Sequence, residues 1–322
     1  MEERHAPTMA LTTDASDISD TSHPVAMTAP AGPTRARVYG ILVVGIVSIA
    51  MSGIFTRWAH VPGPVSAFYR VAVAEIVLAP VFLRSISRGP VTYDRRVWLL
   101  ALAAGVFFML DLGIWNTSLL LTSVANATLL GNDAPIIVGL IALLFFHERL
   151  RTSYWLGMAL AVAGMAVIVG PDVLGASHAD LGIGDALALT AGVSYAMYLT
   201  VTQRVRAHMD TLASLWIPGG VAMVLLLIYC LVTHQALWGF STGTWLSLVG
   251  VGLVSQALGW MSINYALGHL PASVVSVTLL GQPVLTAILA VPLLHQPIGP
   301  TLMLGGTAAL VGIYLVNRGA QG

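Results

Sequence analysis

Charge is what this chain of 322 residues has least of: 9% of its residues are charged, against roughly 25% in an ordinary soluble protein. So few charged side chains cannot cover a globule in water, and a soluble enzyme is therefore excluded. Lysine is absent, and 14 arginines balance 14 acidic residues, which argues against nucleic acid as a partner. The single cysteine, Cys230, excludes a disulfide framework and a cysteine-based zinc site.

The chain also lacks the motifs of common energy-coupling and hydrolytic sites. It has no Gly-x4-Gly-Lys-Ser/Thr loop, so ATP is not expected to drive it. The pair His147-Glu148 is not followed by the second histidine of a zinc protease motif, and we expect His147 and His295 to cap helix ends. No Ser-His-Asp arrangement can be argued. We expect no enzyme activity, no metal site and no cofactor.

What the chain has is apolar sequence, at 57% hydrophobic residues. A membrane-spanning helix needs about 20 mainly apolar residues. Ten stretches meet that length and predict an all-α integral membrane protein: 38–59, 64–84, 97–118, 123–146, 152–170, 181–204, 211–232, 243–266, 271–294 and 297–317. The residues before them, 1–34, are rich in Thr, Ala, Asp, Ser and Pro and predict a disordered cytoplasmic tail.

The positions of the arginines predict the orientation, because cytoplasmic loops carry the excess of basic residues. If the N-terminus is cytoplasmic, every arginine except Arg57 and Arg70 falls at the cytoplasmic side. Arg57 then lies outside and Arg70 lies within a span. We therefore expect both termini in the cytoplasm of a prokaryote, with the chain in the inner membrane.

The apolar region repeats itself. An offset of 148 residues places Asn116 on Asn264 and Pro135 on Pro283. The same offset aligns two stripes of small residues, Gly157, Ala161, Gly164 and Gly305, Ala309, Gly312. Each half then holds five spans, over 35–170 and 181–317, so the second half enters the membrane from the opposite side. Inverted repeats of this kind place a substrate site near the bilayer midplane.

A resemblance rests on particular stretches of both halves. They are Ser123-Val124-Ala125-Asn126-Ala127 to Pro135-Ile136, His147-Glu148-Arg149-Leu150 to Gly164, Pro271-Ala272-Ser273 to Pro283-Val284, and His295-Gln296-Pro297-Ile298 to Gly312. Over residues 38–317 the chain resembles the EamA-type members of the drug/metabolite transporter superfamily. The resemblance implies a ten-helix secondary carrier, often an exporter of amino acids, metabolites or cationic drugs. The family commonly has glycine where this chain has His147, and Gln296 replaces the acid in the second copy.

Four charged residues stand out because they fall well inside predicted spans: Arg70, Glu75, Asp111 and Asp133. A charge in the bilayer costs at least about 2.5 kcal/mol, so each needs a reason. Arg70 and Asp111 have the same predicted depth, which predicts either an ion pair that locks two helices or a contact to substrate. Glu75 and Asp133 fall near the midplane, where either could carry a coupling proton.

The span 123–146 is expected to kink at Pro135, which cannot donate to the carbonyl of Gly131. A kinked turn that bears Asn132 and Asp133 is typical of the broken-helix sites of carriers. The corresponding turn at Pro283 carries Gln282 and no acid. We therefore expect acids in the first half and amides in the second. The further substrate-site candidates are Trp115, Asn116, Gln256, Trp260 and Asn264.

The two small-residue stripes predict close helix packing, either within one chain or at a dimer face. The function predicted from the sequence is secondary active export of small amphipathic molecules by alternating access, with protons as the candidate coupling ion and with lipid as surroundings. Two alternatives remain at this point: an importer or an exchanger of the nucleotide-sugar antiporter type, and a membrane receptor or scaffold that does not transport.

Overall fold

The computed structural model describes residues 33–87, 92–118, 121, 130–145, 147, 150–175, 182–294 and 299–319. The helices discussed below all belong to one compact unit, Thr34–Gly322. The predicted tail up to residue 32, the stretch 122–129 and His295 with its neighbours 296–298 lie outside the described residues.

Every regular element in the described residues is a helix. The helices are α1 Arg35–Ala59, α2 Gly63–Ser87, α3 Arg95–Ser118, α4 Ala134–Phe145, α5 Thr152–Gly175, α6 Ile183–Arg206, α7 Thr211–Val232, α8 Thr242–Leu267, α9 Ala272–Leu279, α10 Gly281–Leu294 and α11 Pro300–Gly319. One segment of α8, Val251–Trp260, is π-helical. Each predicted apolar stretch contains one or more of these helices.

The helices have the length and composition of membrane spans. Five of them, α1, α2, α3, α7 and α8, are long and apolar enough to cross a bilayer, and shorter apolar helices lie at Ala134–Phe145, Thr152–Ile168 and Ala272–Thr286. Large apolar side chains such as Ile76, Leu246 and Val232 are about 70% exposed, as a surface that faces lipid requires. The all-helical membrane class is therefore observed, while the count of ten spans stays a prediction.

The expected kink at Pro135 is instead a break. Leu130 and Gly131 are helical, Asn132 is a turn, and α4 begins only at Ala134. Pro135 therefore stands in the first turn of α4, where its missing N–H removes no intrahelical hydrogen bond. The break is stabilised locally, because the Asp133 carbonyl accepts from the Ile136 amide at 2.9 Å.

The second proline stands at an equivalent break. α9 ends at Leu279, Leu280 is a turn, and Pro283 lies in the first turn of α10. Both breaks therefore precede a proline by about three residues, at positions separated by the repeat offset of 148. The proline marks the start of a new helix rather than a bend within one.

The two small-residue stripes meet each other between α5 and α11. A Cβ built on Gly157 would lie 2.6 Å from the carbonyl oxygen of Gly312, and one built on Gly164 would lie 2.5 Å from that of Gly305. Only glycine allows backbones to approach so closely. Elsewhere in the bundle α1 packs along α8, and α3 packs along α6.

Candidate functional site

Arg70 lies about two turns into α2 and faces the interior of the bundle. Its Nε donates to Oε1 of Gln256 at 2.9 Å, and one terminal nitrogen donates to the Ser52 hydroxyl at 3.3 Å. Gln256 belongs to the π-helical segment of α8 and is 2% exposed. The guanidinium is thus held between α1 and α8 by two neutral partners, and its side chain remains half-buried.

The expected direct ion pair between Arg70 and Asp111 is not found among the described residues. Asp111 of α3 is half-buried and close enough to Arg70, Tyr195 and Tyr198 to interact with them electrostatically. The guanidinium donates instead to Gln256, which lies in the π-helical segment of α8. Two opposite charges therefore face the same interior region without neutralising each other by contact.

Four aromatic rings line this region. Phe108 and Tyr198 stack with centroids 4.6 Å apart, and both meet Trp260 edge-on at 5.2 and 5.1 Å. Tyr195 meets Trp260 at 6.1 Å. The indole Nε1 of Trp260 is buried and has no hydrogen-bond partner in the described residues. A buried donor without a partner is costly, so this N–H is a candidate contact for a bound molecule or a water.

The break before α4 joins the same region through α6. A Cβ on Gly131 would lie 3.2 Å from the indole of Trp115, and Oδ1 of Asp133 occupies the position of a Cβ on Gly192 of α6. Oδ1 of Asp133 is buried without a hydrogen-bond partner among the described residues. Gly192 and Tyr195 are three residues apart and lie on one face of α6. Asp133 is therefore one helical turn from the aromatic rings.

Glu75 lies at the middle of α2 and forms a second buried acid. The side chain is 6% exposed, and Oε1 occupies the position of a Cβ on Gly219 of α7. Oε2 is buried without a hydrogen-bond partner in the part of the chain that the structure describes. The Glu75 carbonyl accepts from the indole of Trp216 at 3.1 Å. Glu75 and Asp133 of the first half therefore each contact a glycine of the second half.

Two predicted substrate contacts make local hydrogen bonds instead. The Asn116 amide donates to the Leu112 carbonyl at 2.6 Å, and the Asn264 amide donates to the Trp260 carbonyl at 3.0 Å. Both bonds run to the residue four positions earlier, and both side chains are buried. Gln282 lies half-buried in the first turn of α10. Asn264 also lies close enough to the Tyr198 hydroxyl to interact with it, so this asparagine sits beside the aromatic rings.

Comparison with protein families decides the identity of the fold. The profile of the EamA-like transporter family matches residues 37–170 and again residues 182–318. The chain belongs to the EamA-like transporter family. As a family member it is a multi-pass membrane protein with a lipid environment and a small-molecule substrate, and its relatives are transporters rather than enzymes.

Individual relatives are distant. A protein of Archaeoglobus fulgidus named "Uncharacterized transporter" is 23% identical over 286 residues, which is 88% of this chain and 98% of that protein. A "Probable terminal-alkyne amino-acid exporter" of Streptantibioticus cattleyicolor is 28% identical over 204 residues, covering 61% of this chain and 65% of the relative. A crystal structure superposes with a TM-score of 0.76 at 19% identity, covers 89% of this chain and 99% of its own, and shows the shared fold.

Sequence reasoning missed three residues of this EamA-like site: Ser52, Gly192 and Gly219. Ser52 holds the Arg70 guanidinium, and the two glycines make room for the carboxyl groups. A signal existed for one of them, because Gly219 follows Pro218 within a predicted span, where a proline usually disturbs the helix. Gly192 and Ser52 carried no such signal, since small residues are common throughout membrane helices.

Proposed function

We propose that this EamA-like protein is a secondary active transporter that exports small zwitterionic metabolites, with amino acids as the first substrate class and cationic drugs as the second. The observation that carries the proposal is the relation of Arg70 to Asp111: the two side chains bear opposite charges, face one interior region and are not joined by contact. A zwitterion offers a carboxylate to Arg70 and an ammonium to Asp111. Its binding would compensate both charges at once.

The surrounding chemistry supports this substrate class. Three of the rings beside Arg70, those of Tyr195, Tyr198 and Trp260, offer faces and edges to an apolar side chain or to a cation. The unpartnered indole N–H of Trp260 offers one donor to an anionic group. The relative named as an amino-acid exporter supports the same class and the outward direction.

The proposed transport cycle is alternating access between two inverted five-helix repeats. The contacts between α5 and α11 support this cycle, because each contact has a counterpart in which the roles of the two halves are reversed. Gly157 meets the Gly312 carbonyl, and the residues 148 positions from them, Gly305 and Gly164, meet in the same way. This crossing also supports use of the small-residue stripes within one chain, so a monomer is the proposed working unit, with a homodimer as the alternative. We further propose inner-membrane insertion with both termini cytoplasmic.

Proton coupling is proposed to use Asp133, with Glu75 as the second candidate. An ionised carboxylate that has a buried oxygen without a hydrogen bond is strongly disfavoured, so each acid is held more cheaply in its neutral form here. Rocking of the halves would separate Asp133 from Gly192 and hydrate the carboxyl. A carboxyl that is dry in one state and hydrated in the other can take up a proton on one side and release it on the other.

The experiment is flux in proteoliposomes that contain the purified protein, with radiolabelled phenylalanine as the first probe. We expect counterflow of phenylalanine, and accumulation when a proton gradient is imposed. Neutralising Arg70 or Asp111 (Arg70→Gln, Asp111→Asn) should lower phenylalanine flux about 10- to 100-fold, because each removes a charge-assisted hydrogen bond to substrate. Arg57→Gln is the matched control, since Arg57 is exposed and should leave flux unchanged.

The same assay separates the alternatives. In inside-out vesicles, an exporter would accumulate phenylalanine in the lumen, whereas an importer would move phenylalanine out of the lumen. An exchanger would show counterflow and no net flux. A receptor or scaffold would bind phenylalanine without moving it, and that result would overturn transport altogether.

A further inference from the structure

We propose that the π-helical segment of α8 is a one-residue insertion relative to α3, and that it aims Gln256 at Arg70 so that the guanidinium is positioned for a substrate carboxylate. The register part of this inference stands on contacts alone. The positioning part rests on the proposed transport of zwitterions. Gln256 is thus assigned as a positioning residue that acts through Arg70.

The register before the π-helical segment is fixed by two glycines. A Cβ on Gly105 of α3 would lie 2.6 Å from the Pro218 carbonyl oxygen and 2.6 Å from Cβ of Val221.

The second glycine, Gly252 of α8, makes the corresponding contacts. A Cβ on Gly252 would lie 3.2 Å from the Arg70 carbonyl oxygen and 2.5 Å from Cβ of Val73. Val73 and Val221 are separated by the repeat offset of 148.

Arg70 and Pro218 are likewise separated by 148 residues. The two glycines therefore make the same contacts to the same pair of repeat positions. Gly105 and Gly252 are nevertheless 147 residues apart, one fewer than the offset of their partners. Before the π-helical segment, each residue of α3 therefore corresponds to the residue of α8 that lies 147 positions later.

The register after the π-helical segment is indicated by two asparagines that make the same bond within their own helices. Asn116 bonds to the carbonyl of Leu112, and Asn264 bonds to the carbonyl of Trp260. The two donors, Asn116 and Asn264, are 148 residues apart, and so are the two acceptors, Leu112 and Trp260. One extra residue therefore lies between Gly252 and Asn264 that has no counterpart in α3.

The structure accommodates an extra residue at that place. Val251–Trp260 is π-helical, whereas α3 is α-helical throughout Arg95–Ser118. A π-helix bonds i to i+5, so one residue can be added without loss of the flanking α-helical register. Since successive residues of an α-helix differ by about 100°, the insertion changes the direction of the side chains within it by a comparable angle.

Gln256 is the polar side chain that this change of direction places on Arg70. The neighbouring Ser255 hydroxyl donates to the Ser48 carbonyl at 2.9 Å and holds the segment against α1. Gln256 and Ser52 accept two of the five N–H groups of the guanidinium. The remaining donors stay available for a carboxylate, which arginine binds best with two parallel hydrogen bonds. The insertion therefore fixes the orientation of the guanidinium and leaves part of it free.

The register is tested by deletions in the full-length protein, with melting in detergent as the measurement. Deletion of Leu258, which is 51% exposed, should restore an uninterrupted α-helix and keep a folded, monodisperse protein that melts within a few degrees of the parent. Deletion of Val106, which is 41% exposed in α3, is the matched control and should abolish folded protein, because α3 has no extra residue to lose. Equal loss of folding in both deletions would overturn the insertion.

Positioning is tested by point variants, with phenylalanine and phenethylamine as probes for counterflow. Gln256→Leu should raise the KM for phenylalanine roughly tenfold, because the guanidinium loses a charged hydrogen bond, while Vmax stays within about twofold. Gln256→Glu should place a competing carboxylate on Arg70 and depress phenylalanine far more than phenethylamine, which has no carboxylate. Gln256→Glu should melt like the parent, and Gln256→Leu should melt a few degrees lower because Arg70 loses an acceptor.

The outcomes separate the two proposals. An unchanged ratio of phenylalanine to phenethylamine in both variants would overturn the positioning role while leaving transport intact. If the parent protein moves neither compound, the proposed function fails for this substrate class and the positioning role fails with it. The deletion pair still decides the insertion in that case.

Discussion

The candidate site residues of the first half include four charged side chains, whereas those of the second half include amides and no charge. The first set includes Arg70, Glu75, Asp111 and Asp133, and the second includes Gln256, Asn264 and Gln282. The backbone contacts of the two halves nevertheless correspond closely, as the glycine contacts of α3 and α8 show. The two halves therefore share packing but not chemistry.

The difference has a physical consequence at the surface between the halves. Glu75 rests on Gly219 and Asp133 rests on Gly192, so these two acids of the first half are shielded by bare backbone of the second. Bare backbone excludes water without supplying a charge. In the proposed transport cycle, movement of one half against the other would change the hydration of both acids.

The strongest test of the shared packing is the crossing of α5 and α11. Gly312→Val should cost about 3 kcal/mol or more, because the added side chain must separate two backbones. Gly164→Val should cost a similar amount, since Gly164 is the repeat counterpart of Gly312. The measurement is the yield and thermal midpoint of protein purified in detergent.

Gly40→Val is the control for this crossing, because a Cβ on Gly40 has nothing within 4 Å. We expect it to purify like the parent. If Gly312→Val and Gly164→Val also melt like the parent, the two stripes do not meet and the correspondence of the halves loses its best support.

The unequal chemistry is tested by neutralising the two acids separately. Asp133→Asn keeps the size of the side chain and fixes it as neutral. If Asp133 carries the coupling proton, the variant should retain counterflow of phenylalanine and lose accumulation against a gradient. The assay compares both fluxes in the same proteoliposomes at several pH values.

Glu75→Gln is the matched variant on the other acid. We expect it to retain accumulation if Asp133 alone carries the proton. Full accumulation by Asp133→Asn at every pH, together with its loss in Glu75→Gln, would transfer the coupling role to Glu75. Loss of counterflow in Asp133→Asn would instead show that Asp133 binds the substrate itself.

The sequence predicted much of this architecture because membrane spans and repeats depend on patterns that one chain displays. Apolar length located the helices, and the offset of 148 identified the two matching small-residue stripes, which the structure brings together between α5 and α11. The partner of Arg70 could not be predicted in this way. Depth along a helix is readable from residue number, but the direction of Gln256 depends on a π-helical segment, which arises from one extra residue that no hydrophobic pattern reveals.

The smallest expected effect concerns the two asparagines, which the sequence placed among the substrate contacts. Asn116→Ala removes one bond to the Leu112 carbonyl, so we expect a cost of about 1 kcal/mol. Asn264→Ala should cost somewhat more, because Asn264 is fully buried and its Oδ1 also accepts from the Ser214 hydroxyl at 3.4 Å. The thermal midpoint measures both costs. The KM for phenylalanine should not change in Asn116→Ala, because the Asn116 amide bonds within its own helix. Asn264 lies beside the Tyr198 hydroxyl, so Asn264→Ala should raise the KM slightly. A raised KM with an unchanged midpoint in Asn116→Ala would place Asn116 in the binding site as well.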